Sequence, residues 1–135
     1  DDNDWPVNLP ILRLEDMMLM YAELLVEEGK IMEAVAYVND IRKRAGCDEV
    51  NTVSAADALK LIKRERRIEL MGEGVRWFDL VRWGEWQTEI QSLFDSYHNP
   101  DGTDKNNVKT GRYLYPIPLN QLNVTPGLYK QNEGY

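Results

Sequence analysis

The sequence is short of the residues that most often announce chemistry. It has one cysteine, Cys47, and one histidine, His98. A lone cysteine excludes an intrachain disulfide framework and any multi-cysteine metal site. Cys47 follows the helix stop "RAG" and reads as a small, partly buried residue rather than a reactive thiol. His98 stands alone and reads as surface. Basic residues are outnumbered, 16 against 23 acidic ones, for a net charge of −7. That balance argues against nucleic acid, whose binding is dominated by Lys and Arg contacts to phosphate. No apolar run approaches the ~20 residues that span a bilayer. The opening "DDNDWPVNLP" has neither the basic region nor the apolar region of a signal peptide, and no initiating Met. It reads as a processed chain or a piece of a longer protein. Exported bacterial proteins also do without disulfides, so these absences leave the compartment open.

What is present suits one soluble domain with a real core: 135 residues, 43% hydrophobic and 29% charged. Residues 11–28, "ILRLEDMMLMYAELLVEE", predict a helix with Leu14, Met17, Met18, Tyr21, Leu24 and Leu25 as its apolar stripe, ended by Gly29. "IMEAVAYVNDIRKRAG" predicts a second, with Ile31, Ala34, Val35, Val38, Ile41 and Ala45 on one face and Gly46 as stop. Together they form an αα-hairpin with small residues (Ala22, Gly29, Ala34) where tetratricopeptide repeats place them. Only one such unit is visible. Ser54 and Asp57 suggest an acidic capping box opening a third helix to about Met71. A short helix over about 75–83 and an amphipathic segment over 86–98 follow. "NPDGTDKNNVKTG" is a loop by composition, and "RYLYPIPLNQL", with Pro116 and Pro118, is extended or an edge strand. The fold class is mainly α: a tetratricopeptide-like hairpin, further helices, an irregular loop and an extended C-terminal tail. The chain divides into a lead-in (1–10), a helical scaffold (11–97), a loop (98–112) and the tail (113–135).

Residues 65–86, "ERRIELMGEGVRWFDLVRWGEW", hold three of the four tryptophans amid dense charge. Glu65 shares a stripe with Leu61 and Ile68, so it faces the core and needs a cation there. Arg42, Arg44, Arg76 and Arg82 are the available partners. Asp79 lies three residues from both Arg76 and Arg82 and can bridge them. Glu65, Arg76, Asp79 and Arg82 therefore read as a structural ionic brace. Trp77, Phe78 and Trp83 are expected in the core or at a helix interface, with Phe78 and Trp83 covering the ionic groups. A carboxylate pair for glycoside hydrolysis, drawn from Glu65, Glu69, Glu73 and Asp79, is the rival reading. It needs one raised pKa, and most of these acids sit within one turn of an arginine that depresses it.

Five blocks in order carry a family resemblance. "ERRIELMGEGVRWFDLVRWG" resembles the signature of the SusD/RagB family, as do "LRLEDMMLMYAELLVEEG", "VNDIRKRAG", "YLYPIPLNQL" and the terminal "QNEGY". They cover most of residues 11–135. Asn120-Gln121 and Glu133 depart from the family pattern, at the C-terminal docking rather than the helical core. The resemblance implies the C-terminal portion of a SusD-like lipoprotein, outward-facing on a bacterial outer membrane. Such proteins bind glycans or other nutrients and partner a SusC-like TonB-dependent transporter. The implied protein is no enzyme, takes no cofactor and no metal, and attaches to the membrane through an N-terminal lipid that Cys47 cannot carry. This segment is mainly scaffold, so no ligand residue transfers.

Residues able to stack on a sugar are Trp5, Trp86, Tyr97 and Tyr113, each weighed against a plain packing role. Asp101, Asp104 and Asn106 lack the glycine and distal glutamate of a calcium loop. Gly72-Glu73-Gly74 is no nucleotide fingerprint. The alternatives are an intracellular tetratricopeptide-like interaction scaffold and a helical glycosidase.

Overall fold

The computed structural model describes residues 11–96, 108 and 111–135. Among the described residues there are six helices and no strand: α1 (Leu14–Glu27), α2 (Ile31–Arg44), α3 (Ala55–Glu69), α4 (Arg76–Arg82), α5 (Trp86–Asp95) and α6 (Leu119–Val124). The chain divides into two compact units, Asp1–Gly74 and Val75–Tyr135. The boundary falls inside the stretch 11–97. Trp5, Tyr97, His98 and the loop residues Asp101, Asp104 and Asn106 lie outside the described residues.

In the first unit α1, α2 and α3 pack on one another. The α1–α2 turn is set by local chemistry. Lys30 N–H bonds to Leu25 O at 2.8 Å and Gly29 N–H to Val26 O at 3.0 Å, a Schellman closure. It needs a positive φ, which Gly29 supplies at 77°. At α3, Ser54 Oγ accepts from Asp57 N–H at 3.4 Å, but Ser54 N–H bonds to Thr52 Oγ1. The cap is half a capping box.

The core is Leu19, Ala22, Leu25 and Val26 from α1, Ala34, Val35, Val38 and Ile41 from α2, and Ala58 and Ile62 from α3. On α2 this is the expected stripe except at its end, where Ala45 is the exposed C-cap. On α1 it is not: Leu14, Met17, Tyr21 and Leu24 are exposed, and the buried face is turned by about one residue, ~100°. The reason lies in "LEDMMLMYAELL", which is apolar on two sides. The side that won carries Ala22, which lets α1 come close to its neighbours. On α3 the buried face is Ala58, Ile62, Glu65 and Arg66 rather than Leu61, Glu65 and Ile68, and Ile68 is exposed. Cys47 is also exposed, not partly buried, because it lies beyond the Gly46 stop.

The second unit holds α4 and α5 packed together. Gln91 Oε1 accepts from Val108 N–H at 2.9 Å, while Gln87 Nε2 donates to Val108 O at 3.4 Å. The "YLYPIP" stretch makes no β-ladder. Its two prolines lack N–H donors, and the Gln131 amide occupies both Ile117 groups, accepting from N–H at 2.7 Å and donating to O at 2.9 Å. Once past Pro118, the tail read as extended turns into α6. The returning chain passes so close that a Cβ on Gly111 would sit 2.5 Å from Glu133 Cβ.

Charge organises the first unit. The Arg66 side chain is 3% exposed, with Nη1 2.8 Å from Asp16 Oδ1 and 3.3 Å from Asp16 O, and Nε 3.9 Å from Glu23. The Asp16 Oδ1 contact is an ion pair without hydrogen-bond alignment. Glu65, also buried, takes Arg42 Nη1 at 3.1 Å. Arg13 grips Glu69 and Glu73 and lies 3.3 Å from Glu15. Arg44 meets Glu69 at 2.6 Å and Glu15 at 3.8 Å.

Breaking a buried pair on one side costs about 3–5 kcal/mol, because the other charge is left uncompensated. Arg66→Met should therefore lower the thermal midpoint clearly in a calorimetric melt. Adding Asp16→Asn should recover part of the loss. A loss under about 0.5 kcal/mol would mean solvent already serves the acids. Glu65→Ala should also destabilise, by less, because Arg42 is the more exposed partner.

Glu15 is held below the usual carboxylate range, first by a hydrogen bond from its own backbone N–H, then by the charges of Arg13 and Arg44, with burial opposing. A depressed folded pKa gives stability that is complete above the unfolded value and lost as pH falls through the folded one. Denaturant melts of wild type and Glu15→Gln should thus differ near neutrality and converge at strongly acid pH. Parallel curves down to acid would remove Glu15 from the account.

Candidate functional site

The residues read as an ionic brace fall in both units. Glu65, in the first, has Arg42 as its partner. In the second, Asp79 is buried and holds Arg82 through Nε at 2.9 Å and Nη2 at 2.8 Å. Arg76 reaches across to α5 and meets Glu89 at 3.3 Å. Trp83 lies beneath both cations, 4.7 Å from the Arg82 guanidinium carbon and 5.8 Å from that of Arg76. Its ring is therefore committed to stacking on cations.

Phe78 departs from expectation. It is 70% exposed, and Trp77 is also exposed. A helix of seven residues is under two turns, too short for its pattern to define an inner face. Asp79 and Leu80 turn inward, and the two aromatics look outward.

They look onto a cavity of ≈580 Å³ lined by Trp77, Phe78, Arg112, Tyr113, Leu114, Tyr115 and Tyr135. Behind it runs a ladder of rings. Trp77 meets Trp86 edge-on at 5.9 Å, and Trp86 meets Tyr113 at 5.9 Å in a tilted contact. Trp86 and Tyr113, two candidates flagged for sugar stacking, are thus brought together. Trp86 is the half-buried middle rung, so its role is support, while Tyr113 reaches the cavity. Tyr97 lies outside the described residues. Arg112 anchors the other wall, its Nε donating to Gly134 O at 3.1 Å and its guanidinium carbon 5.0 Å from the Tyr135 centroid. Asn132 Nδ2 donates to Tyr115 O at 2.6 Å and ties tail to wall.

Arg112, Tyr115, Tyr135, Trp77 and Phe78 were not read from sequence as cavity residues. They come from three separate stretches, and only the fold-back of the tail unites them. The one local signal is the aromatic density of "RYLY".

The carboxylates weighed for hydrolysis are all engaged: Glu65 with Arg42, Glu69 with Arg13 and Arg44, Glu73 with Arg13, Asp79 with Arg82. Among the described residues no three His, Cys, Asp or Glu side chains gather as a metal site.

Residues 6–135 match the model of the SusD family. A SusD-like protein of Formosa agariphila is 33% identical over 95% of this chain and 25% of its own length. A SusD-like protein of Bacteroides ovatus is 32% identical over 62% of this chain and 16% of its own. Among solved structures, a SusD superfamily protein from Bacteroides vulgatus aligns with a TM-score of 0.73 at 26% identity, over 92% of this chain and 27% of that one. Surface glycan-binding protein A from Bacteroides thetaiotaomicron aligns with a TM-score of 0.70 at 29% identity, over 98% and 26%. The chain spans about a quarter of the first of these relatives. With its tetratricopeptide-like hairpin and all-helical described elements, the chain belongs to the SusD family.

Proposed function

We propose that these residues are the scaffold portion of a longer glycan-binding lipoprotein on the outer face of a bacterial outer membrane. The whole protein captures oligosaccharide and delivers it to a SusC-like TonB-dependent transporter. The observation that carries this reading is the family match over residues 6–135, with the alignment to a surface glycan-binding protein in its support. Attachment is through a lipid at the N-terminus of the longer protein, and Cys47, just past the α2 stop, is not that site. No helix among the described residues is long and apolar enough to cross a membrane.

The protein binds and does not cleave. Glycoside hydrolysis needs two carboxyl groups facing each other across a sugar, one protonated and one ionised. Here the acids of the signature stretch are spent on arginines that hold helices together. Glu69 alone engages cations from the start of α1 and the end of α2. Glu65, Arg76, Asp79 and Arg82 are scaffold residues in this reading, and Tyr113 is the flagged aromatic nearest to a ligand role.

Affinity electrophoresis of the longer protein against a polysaccharide panel should show retardation by at least one glycan, with no release of reducing sugar. The 135-residue chain alone should be retarded much less, because stacking faces need hydrogen-bonding groups around them on a rigid support. Equal retardation of both would place the main site within these residues. Sugar release by either would overturn the non-enzymatic reading. A tagged longer protein should also bring down a TonB-dependent transporter from detergent-solubilised outer membranes, and its absence would remove that partner.

A further inference from the structure

We propose that the cavity of the second unit is a subsite for one carboxylated sugar ring, a uronate unit of a glycan. This deepens the glycan-binding reading above and rests on it. The cavity, at ≈580 Å³, falls within the range of small-ligand sites, ~300–1,000 Å³, and accommodates a pyranose ring with part of a neighbour. Its walls are flat and apolar where a ring's C–H face can lie. Tyr115 is 90% exposed, and Phe78, Tyr113 and Tyr135 also show large parts of their surfaces. Exposed aromatics gathered around one concavity mark an interaction surface rather than scattered residues.

The polar groups supply the direction. No protein hydrogen bond to the hydroxyls of Tyr113, Tyr115 or Tyr135 occurs among the described residues, so each is available to a sugar hydroxyl. Among the described residues Arg112 is the only charged side chain on the wall. Its Nε is occupied by Gly134 O, and its guanidinium carbon lies over the Tyr135 ring. The remaining Nη1/Nη2 end has no protein partner among the described residues and keeps its four donors for a ligand. A carboxylate is planar and presents two oxygens, which matches that fork. With the chain at −7 overall, its long-range field does not draw an anion in. Discrimination comes from contact with Arg112.

The test is titration with two simple probes, methyl β-D-glucuronide and methyl β-D-glucoside, followed by the indole and amide signals in NMR. The uronide should produce a saturable shift at the Trp77 indole with a Kd of ~1–10 mM. The neutral glycoside should bind at least about tenfold more weakly. Arg112→Gln should bring the two probes level, and Arg112→Lys should restore only part of the difference. Tyr115→Ala should weaken both probes. Equal affinities in the wild type, no saturable response, or a preference that survives Arg112→Gln would each overturn the subsite. So would uronide binding to the 135-residue chain that vanishes in the longer protein, since the cavity would then be a seat for the protein's own polypeptide. Polysaccharide retardation of the longer protein is scored separately. If it persists while the uronide response fails, the subsite falls and the glycan-binding reading stands.

Discussion

The first unit depends on a buried guanidinium. Arg66 stands on α3 with almost no access to water, facing Asp16 and Glu23 of α1. A cation in that position is tolerable only while its acids are present, so α3 cannot slide or rotate on α1 without exposing the cost. Asp16 and Glu23 are two turns apart on one flank of α1. Holding that flank to α3 turns Leu19, Ala22 and Val26 inward. The choice between the two apolar sides of α1 is thus made by charge as well as by the small Ala22. The further pairs work around the same joint, with Arg42 on Glu65 and with Arg13 and Arg44 both on Glu69. Such pairs add modest net stability at best. Their larger effect is to make other registers unfavourable.

What could be read from the sequence divides along the same line. Helix ends were legible because Gly29, Gly46 and Ser54 act on groups within a few residues. The α2 stripe was legible because Glu33, Asp40, Lys43 and Arg44 mark the outer side of that helix. The α1 face was not, because periodicity offered two answers and the deciding partners lie 50 residues away at Arg66. Arg13 was invisible for the same reason, since Glu69 is 56 residues distant. Trp83 met the expectation of covering charge, and Phe78 did not, because α4 is too short to dictate both sides of itself. For the candidate site, Tyr113 was flagged from its residue type. Arg112, Tyr115 and Tyr135 become neighbours only when Gln131 and Asn132 fold the tail back.

The density of charge and tryptophan between residues 65 and 86 is then two adjacent designs rather than one. The charges up to Glu73 serve the first unit, where arginine and carboxylate lock three helices. The rings from Trp77 to Trp86 serve the second, where they line up behind a concave wall. Asp79, Arg82 and Trp83 overlap the two chemistries, a buried acid holding an arginine that sits over an indole. None of these groups is left with both an open face and a free charge.

That last point separates scaffold from candidate site. An aromatic packed on another ring, or an arginine already paired with an acid, has its favourable interactions satisfied and offers a ligand little. Trp86 between two rings and Arg82 on Asp79 are of this kind. Arg112 differs, because a backbone carbonyl and a ring fix its orientation without neutralising its charge. Preorganised but uncompensated groups are where binding free energy is available, since orienting them costs nothing more when the ligand arrives. In this chain the carboxylates of the signature stretch are taken up by arginines, Glu65 by Arg42, Glu69 by Arg13 and Arg44, Glu73 by Arg13 and Asp79 by Arg82. The unspent charge sits on the turn around Arg112, outside the charged signature stretch.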